Sequence, residues 1–501
     1  MNYSEKDKII IENISKLSKA NPFLYERIEL EKAILGNKYK KIGDLWSIHS
    51  LEKGYLENLN KIQKISAELA TKYKNKLEEK GSLELTIEDI SLYEELVSYH
   101  LFEKYRENFQ KLIYDDKSYG EKYLFYNEFL DDFQFFFKLN NYKFYQHTKP
   151  EEIFALYHQI HRGFYYIFDF IVGSSNAVAE LRASVWESIF THDIYRYKSC
   201  LFKDMRNITT LITGPSGTGK ELVARAISFS QYIDFDSKKY IFKENYREQF
   251  SPLHLSAMSA NLIESELFGH KKGAYTGALT DRKGWFELSS KYGTVFLDEI
   301  GEIDESIQVK LLRLTQNRSF QPLGSTHSVE FKGKIIAATN RDLSDEINKG
   351  SFRKDLYYRF CSDIIITPSL SEQIAGSEKE LKRLVEYLAN KIIGSEESAE
   401  LAKETVSWIK KEIGLNYEWP GNIRELEQCI RNIMIRGKYY PANIANLSKL
   451  DSFVKNIKDF SLTADDLVTG YCQLVHEQTR NYSKTARKVD LDRRTVKAKV
   501  D

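Results

Sequence analysis

The eight residues GPSGTGKE, Gly214 to Glu221, constrain this chain more than any other stretch. They follow the apolar run TTLIT and lead into ELVARAIS, so the order is strand, glycine-rich turn, helix. That context is the one a phosphate-binding loop requires. Gly214, Pro215, Ser216, Gly217, Thr218 and Gly219 can turn backbone N–H groups onto an anion, the helix N-terminus adds its dipole, and Lys220 reaches terminal phosphates. A purely structural glycine turn is the plainer alternative, but the full G-x-x-x-x-G-K spacing argues against it. Glu221 departs from the pattern, standing where a Ser or Thr usually meets magnesium.

About eighty residues on, VFLDE closes an apolar run with two acids. Asp298 is placed to hold a magnesium shell and Glu299 to orient an attacking water. Such an ending is weak alone and strong behind a phosphate loop. In AATN, Thr339 and Asn340 end the next strand where they would feel a terminal phosphate, although an Asn there is commonly a turn residue. FRKDLYYRF supplies Arg353 and Arg359, and WPGNIRELEQCIRN supplies Arg424 just inside a helix with Asn422 as its expected cap. Each arginine taken singly suits a solvated helix face. Phosphoryl transfer is mostly electrostatic, however, and a guanidinium at the terminal phosphate is worth about a thousandfold or more in rate. The set points to ATP and Mg2+, with Arg353 and Arg359 acting on a neighbouring subunit's nucleotide. Assembly then becomes a condition for turnover.

TTLIT, GTVFLDE and KIIAATN are short, β-branched or apolar, and separated by helical patterns, as in a parallel sheet within a three-layer α/β domain. That domain is expected over 171–372, with a helical lid subdomain over 373–440. At 501 residues the chain exceeds what one core supports. Residues 1–170 form a mainly helical region, in which Tyr126, Phe129, Leu130, Phe133 and Phe137 follow helical spacing and are expected to be core rather than ligand box. It carries no metal spacing or phosphate loop, so what it senses stays open. A linker is expected over 441–461 and a DNA-binding segment over 462–501. A net charge of +1 excludes a uniformly basic coat, so any nucleic-acid contact is local. The cysteines Cys200, Cys361, Cys429 and Cys472 show no pairing pattern, which fits a reducing cytoplasm. No run of about eighteen uncharged apolar residues appears, so no membrane span is expected.

The stretch GHKKGAYTGALTD sets two Gly-Ala steps around an aromatic and a threonine. With LIESELFGHKKGAYTGA, GTVFLDEIGEID, QVKLLRLTQNRSFQPLG, FRKDLYYRF and WPGNIREL, the chain resembles the AAA+ domain of bacterial enhancer-binding proteins, the activators of sigma-54 RNA polymerase. The similarity runs from about Ile171 to Gly437. It implies a P-loop ATPase working as a homo-oligomer, a hexamer in the family, in the bacterial cytoplasm. It further implies that Gly273, Ala274, Tyr275, Thr276, Gly277 and Ala278 form the loop that touches sigma-54 and moves with nucleotide state. The Gly-Ala steps would give that loop a hinge of low steric cost. GTGKE is the usual family form of the phosphate loop, so Glu221 ceases to be odd. Two departures stand out. Tyr275 replaces a phenylalanine, and His254 in HLSAM replaces an asparagine that restrains the catalytic glutamate, so coupling to the loop is expected to be altered.

In the last segment, Thr463 is the expected cap of a helix with Ala464, Leu467, Val468, Tyr471, Leu474 and Val475 on one face. Two short helices follow, turning near Asp490 and Leu491, with Asp492 capping the second. Arg480 to Asp501 holds eight basic and three acidic residues. This resembles a Fis-type helix-turn-helix, with Ala486, Leu491, Thr495 and Val496 at matching positions. Arg493, Arg494, Thr495 and Lys497 are the candidate contacts to double-stranded DNA, with base and phosphate roles unassigned. The rival to an activator is a nucleotide-dependent DNA-binding regulator that does not remodel sigma-54, and His254 is the feature favouring it.

Overall fold

The computed structural model describes residues 3–41, 56–80, 86–114, 122–138, 149–394, 397–441, 453–454, 456–457 and 462–500. The expected 441–461 linker lies almost wholly outside these residues, as does the end of the aromatic stretch beyond 138. The chain forms two compact units, Met1–Ile430 and Arg431–Asp501.

The first unit opens with α1 (Glu5–Lys19), α2 (Glu26–Leu35), α3 (Leu56–Lys80), α4 (Ile87–Lys104), α5 (Arg106–Tyr114), α6 (Tyr126–Phe137), α7 (Pro150–Phe170) and α8 (Asn176–Phe190). Local chemistry sets their ends. Ser4, Thr86 and Ser175 cap α1, α4 and α8 by accepting backbone N–H groups, and Pro150 sits where a missing N–H costs nothing. The expected helix over the aromatic stretch is α6. Its buried face holds Tyr126, Phe129, Phe133 and Phe137 as expected, with Phe136 added and Leu130 only half-buried.

A five-stranded parallel sheet follows, built from β1 (Thr210–Thr213), β2 (Phe250–His254), β3 (Thr294–Asp298), β4 (Lys334–Thr339) and β5 (Asp363–Ile366) in the order β2-β3-β4-β1-β5. Its period-two pattern divides the interior. Leu211, Val295, Leu297, Ile335 and Ala337 face one core, shared with α11 (Glu305–Asn317) and α13 (Lys354–Phe360). Ile212, Phe296, Ile336, Ala338 and Ile365 face the other, shared with the phosphate-loop helix α9 (Lys220–Phe229). Helices α10 (Ala260–Phe268) and α12 (Leu343–Asn348) complete the layers.

The second of these cores runs without a break into the N-terminal helices. The expected boundary at 170/171 therefore falls inside a continuous interior. Helix α7 makes the join. Arg162, fully buried, donates to the carbonyls of Phe229 (2.7 Å) and Gln231 (2.6 Å) at the C-terminal end of α9, and stacks over Tyr246. Gln159 donates to Ser230 O at 2.8 Å. Arg182 of α8 closes the C-terminal end of α7 in the same way, through Ile171 O at 2.9 Å. A helix C-terminus presents orphan carbonyls and partial negative charge, which is what both guanidinium groups meet, although Arg162 Nε keeps no partner among the described residues.

The lid comprises α14 (Leu370–Ile374), α15 (Glu378–Ile393), α16 (Ser398–Glu412) and α17 (Asn422–Arg436). In the second unit, α18 (Ala464–Thr479), α19 (Tyr482–Val489) and α20 (Arg493–Val500) close around Cys472, Ala486 and Val496. The apolar face expected for α18 is corrected in part. Val475 is buried, but Leu467, Val468 and Tyr471 remain exposed, because α19 and α20 cover the flank of α18 that carries Cys472.

Candidate functional site

The phosphate loop leaves β1 and enters α9 through three glycines with positive φ: Gly214 (144°), Gly217 (79°) and Gly219 (90°). Two of them are also crowded. A Cβ on Gly214 would stand 2.6 Å from the Thr367 carbonyl oxygen, and one on Gly217 would stand 2.5 Å from that of Gly421. Thr218 Oγ1 donates to Pro215 O at 2.9 Å. Lys220 Nζ donates to Gly214 O (2.9 Å) and Pro215 O (3.1 Å). Desolvation lowers the Lys220 pKa, Glu299 and Asp298 act to hold it up, and Arg424 opposes them. Glu221 is spent on its own helix, accepting from Arg225 at 2.8 and 3.0 Å.

The lid comes to the same loop. Ile423 N donates to Gly217 O (3.1 Å), Asn422 Nδ2 to Ser216 O (2.9 Å) and Arg424 to Ser216 Oγ (3.2 Å). Asn422 does not cap α17 as expected. Its backbone is left-handed (φ 52°), and its side chain instead bridges Ser216 to the backbone N–H of Leu370.

Asp298 ends β3, with Oδ1 accepting the N–H of Glu299 at 3.1 Å. Glu299 is itself left-handed (φ 59°, ψ 48°), a conformation that costs a non-glycine residue energy and turns the carboxylate off the strand line. Its Oε2 lies 3.4 Å from the backbone N–H of Asn340. Thr339 is fully buried and accepts from Arg341 N at 3.1 Å.

His254 meets the acid next to the expected one. Its Nδ1 donates to Asp298 Oδ2 at 3.0 Å rather than to Glu299. The cause is register: β2 pairs with β3 so that His254 stands opposite Asp298, while the left-handed turn carries Glu299 away.

Arg353 and Arg359 differ. Arg353 is held by Asp355 (2.8 and 3.1 Å) and Glu305 (3.3 Å). The Arg359 side chain is exposed and makes no hydrogen bond or ion pair with the described residues. Neither reaches the phosphate loop, Asp298 or Glu299 within the chain.

The 273–278 segment is a tight loop on a strapped base. Gly273 N donates to Ala278 O (2.9 Å) and Ala278 N to Tyr275 O (3.0 Å). Asp281 ties Lys271 (2.8 Å) and the Lys272 N–H (2.8 Å), while buried His270 is bound to Ser265 Oγ (2.7 Å). The Tyr275 ring sits edge-on to His270, 5.0 Å between centroids, and Thr276 is exposed. Sequence reasoning missed Leu279, which is 80% exposed beside this tip. A large apolar side chain directly after the second Gly-Ala step is the signal that would have found it.

In the second unit, Asp490 stands at the expected turn and takes a left-handed conformation there (φ 54°). Asp492 accepts from Arg494 N (2.8 Å) and Thr495 N (3.0 Å). The Thr495 hydroxyl also goes to Asp492, so Thr495 serves the cap before any DNA. Arg493, Arg494 and Lys497 are exposed on α20.

The family model for the Sigma-54 interaction domain matches residues 190–365. The Nif-specific regulatory protein of Azotobacter vinelandii is 40% identical over 248 residues, covering 49% of this chain and 44% of that protein. The anaerobic nitric oxide reductase transcription regulator NorR of Aliivibrio fischeri is 34% identical over 348 residues, covering 64% and 60%. Among solved structures, NtrX from Brucella abortus aligns at 21% identity over 75% of this chain and 79% of that one, with a TM-score of 0.42. The chain thus spans about half the length of the curated relatives it matches. Residues 190–365, which hold both the phosphate loop and the strapped Tyr275–Thr276 loop, are thus similar to the Sigma-54 interaction domain.

Proposed function

We propose that the chain is a sigma-54-dependent transcription activator, an ATPase that assembles as a ring, a hexamer as in the family, and remodels the closed complex of sigma-54 RNA polymerase. The observation that carries this reading is the pairing, in one α/β domain, of a glycine-forced phosphate cradle with an exposed Tyr275–Thr276 loop on a fastened base.

The residues fit ATP with Mg2+. A Cβ at Gly214 or Gly217 would press on the Thr367 or Gly421 carbonyl, so glycine there lets these segments pack closely around the loop. Asp298 is one carboxylate, which suits Mg2+ held by one or two carboxylates together with substrate phosphates. When bound, the ion supplies charge neutralisation at those phosphates. Lys220 exchanges two loop carbonyls for phosphate oxygens, Glu299 orients water, and Asn340 fixes Glu299 through its N–H. Arg424 and Asn422 tie the lid to the loop. Arg359 is available to a neighbouring subunit, whereas Arg353 must first leave Asp355 and Glu305. Arg493, Arg494 and Lys497 would meet upstream DNA, and residues 1–170 would gate turnover from a core continuous with α9.

The test is retention on purified sigma-54 with ATP, ADP or a transition-state ATP analogue. Retention with the analogue alone is expected. Normal turnover without retention in any nucleotide state would sink the reading. That outcome would instead favour a DNA-binding regulator without remodelling, a second reading supported by the His254–Asp298 bond, which leaves Glu299 without the side-chain restraint that links it to the loop in relatives.

A further inference from the structure

The helical N-terminal region holds a partly open cavity of about 210 Å³, lined from α1, α2, α3, α4, α5, α7, α8 and the segment after α8 that carries Ile194 and Lys198. A dry apolar cavity of about 150 Å³ accepts a benzene ring, so this one has room for a ring and a short substituent. Its wall is mainly apolar, with the aromatic side chains Phe102, Phe164, Phe168 and Trp186 in it.

Charge in the wall is uneven. Buried Arg27 is neutralised by Glu31 at 3.0 Å, and buried Arg106 by Glu103 at 2.8 Å. Asp169 has an interaction of its own. The Lys198 ammonium makes no hydrogen bond or ion pair with the described residues, and desolvation pulls its pKa down to about 8. The carboxylate that it feels, Glu95, is already held by Lys19 at 2.8 Å. Three residues of the wall also keep buried polar atoms without a partner among the described residues: Tyr99 Oη, Arg106 Nε and His161 Nε2. Folded proteins rarely leave such capacity unspent.

We propose that this cavity binds a small apolar carboxylic acid, its body among the aromatic rings and its carboxylate on Lys198. Occupancy is felt by the ATPase through α7. Ile160, His161, Phe164 and Phe168 of that helix form the wall, while Gln159 and Arg162 grip the C-terminal end of α9. This coupling rests on the ATPase reading above, and the binding does not.

Calorimetric titration of the full chain with phenylacetate, hexanoate and the neutral isostere phenylacetamide tests the site. At least one acid is expected to bind, and phenylacetate to bind about tenfold or more tightly than the amide, the difference a charge-assisted contact supplies. Lys198→Met should erase that preference and Lys198→Arg should keep it. Absence of binding by both acids overturns the site, and equal binding of phenylacetate and phenylacetamide, or a preference that survives Lys198→Met, overturns the role of Lys198. In the same samples, a bound acid should change ATP turnover about fivefold or more in the wild-type chain. Unchanged turnover with acid bound overturns the coupling. Binding by a chain with no turnover would leave the site standing while the ATPase reading falls.

Discussion

Two glycine-bearing loops of the α/β domain use the same backbone region for opposite ends. In the phosphate loop, Gly214 and Gly217 have positive φ and no space, since a Cβ at either would press on a carbonyl of another segment. In the 273–278 loop, Gly273 (81°) and Gly277 (106°) have positive φ and open space, with nothing within 4 Å of an added Cβ. The first loop is wedged between Thr367 and the lid, which fixes its N–H groups for an anion. The second is fastened only below its tip, through Asp281 and His270. Crowding separates a cradle from a lever, although both read in sequence as glycine pairs a few residues apart, Gly-x-x-Gly in the first and Gly-x-x-x-Gly in the second.

The largest effect that tests this contrast is Gly217→Ala. The side chain would strain φ and push Gly421, and with it the lid, off the loop. Nucleotide affinity, measured with a fluorescent ADP, should fall about a hundredfold or more, the equivalent of roughly 3 kcal/mol. Affinity close to wild type would mean that the lid contact is incidental. Next comes Thr276→Ala. The hydroxyl is exposed and bonds to no described residue, so stability and ATP turnover should stay within about 0.5 kcal/mol of wild type while retention on sigma-54 is lost. Loss of turnover itself would make the loop a folding element.

Gly277→Ala should be milder than either. With no clash to relieve, its cost is the left-handed penalty of about 1–2 kcal/mol, confined to the loop. Turnover should be unchanged and retention lowered about fivefold. If turnover fell as far as in Gly217→Ala, the two loops would not differ as described.

What was legible in the sequence tracks how local its cause is. The phosphate loop, the strand ending in Asp298 and the left-handed Asp490 each follow from a few neighbouring residues. Long-range relations were not legible. That His254 meets Asp298 depends on the β2–β3 register and on the left-handed turn at Glu299, neither of which HLSAM carries. The same holds for Asn422, which reads as a cap by type yet bridges Ser216 and Leu370. Helical spacing in residues 1–170 announced a buried face but not that part of it is buried against the phosphate-loop helix. Arg162 looks like a surface residue in sequence because its partners are backbone carbonyls, which leave no compositional mark.

The smallest expected effect, Tyr275→Phe, sharpens the lever half of the contrast. The Tyr275 ring leans on His270, and His270 is fixed by Ser265, so the edge-on pair, worth about 0.5–1.5 kcal/mol, survives loss of the hydroxyl. Thermal stability should therefore be unchanged, and turnover with it. Retention on sigma-54 should shift by no more than about threefold, because an exposed hydroxyl trades one water for another partner with little net gain. A tenfold gain in retention would show instead that the hydroxyl holds the tip back. The ring would then be a latch on the fastened base rather than part of a lever free above it, and the crowding argument would apply to only one side of the comparison.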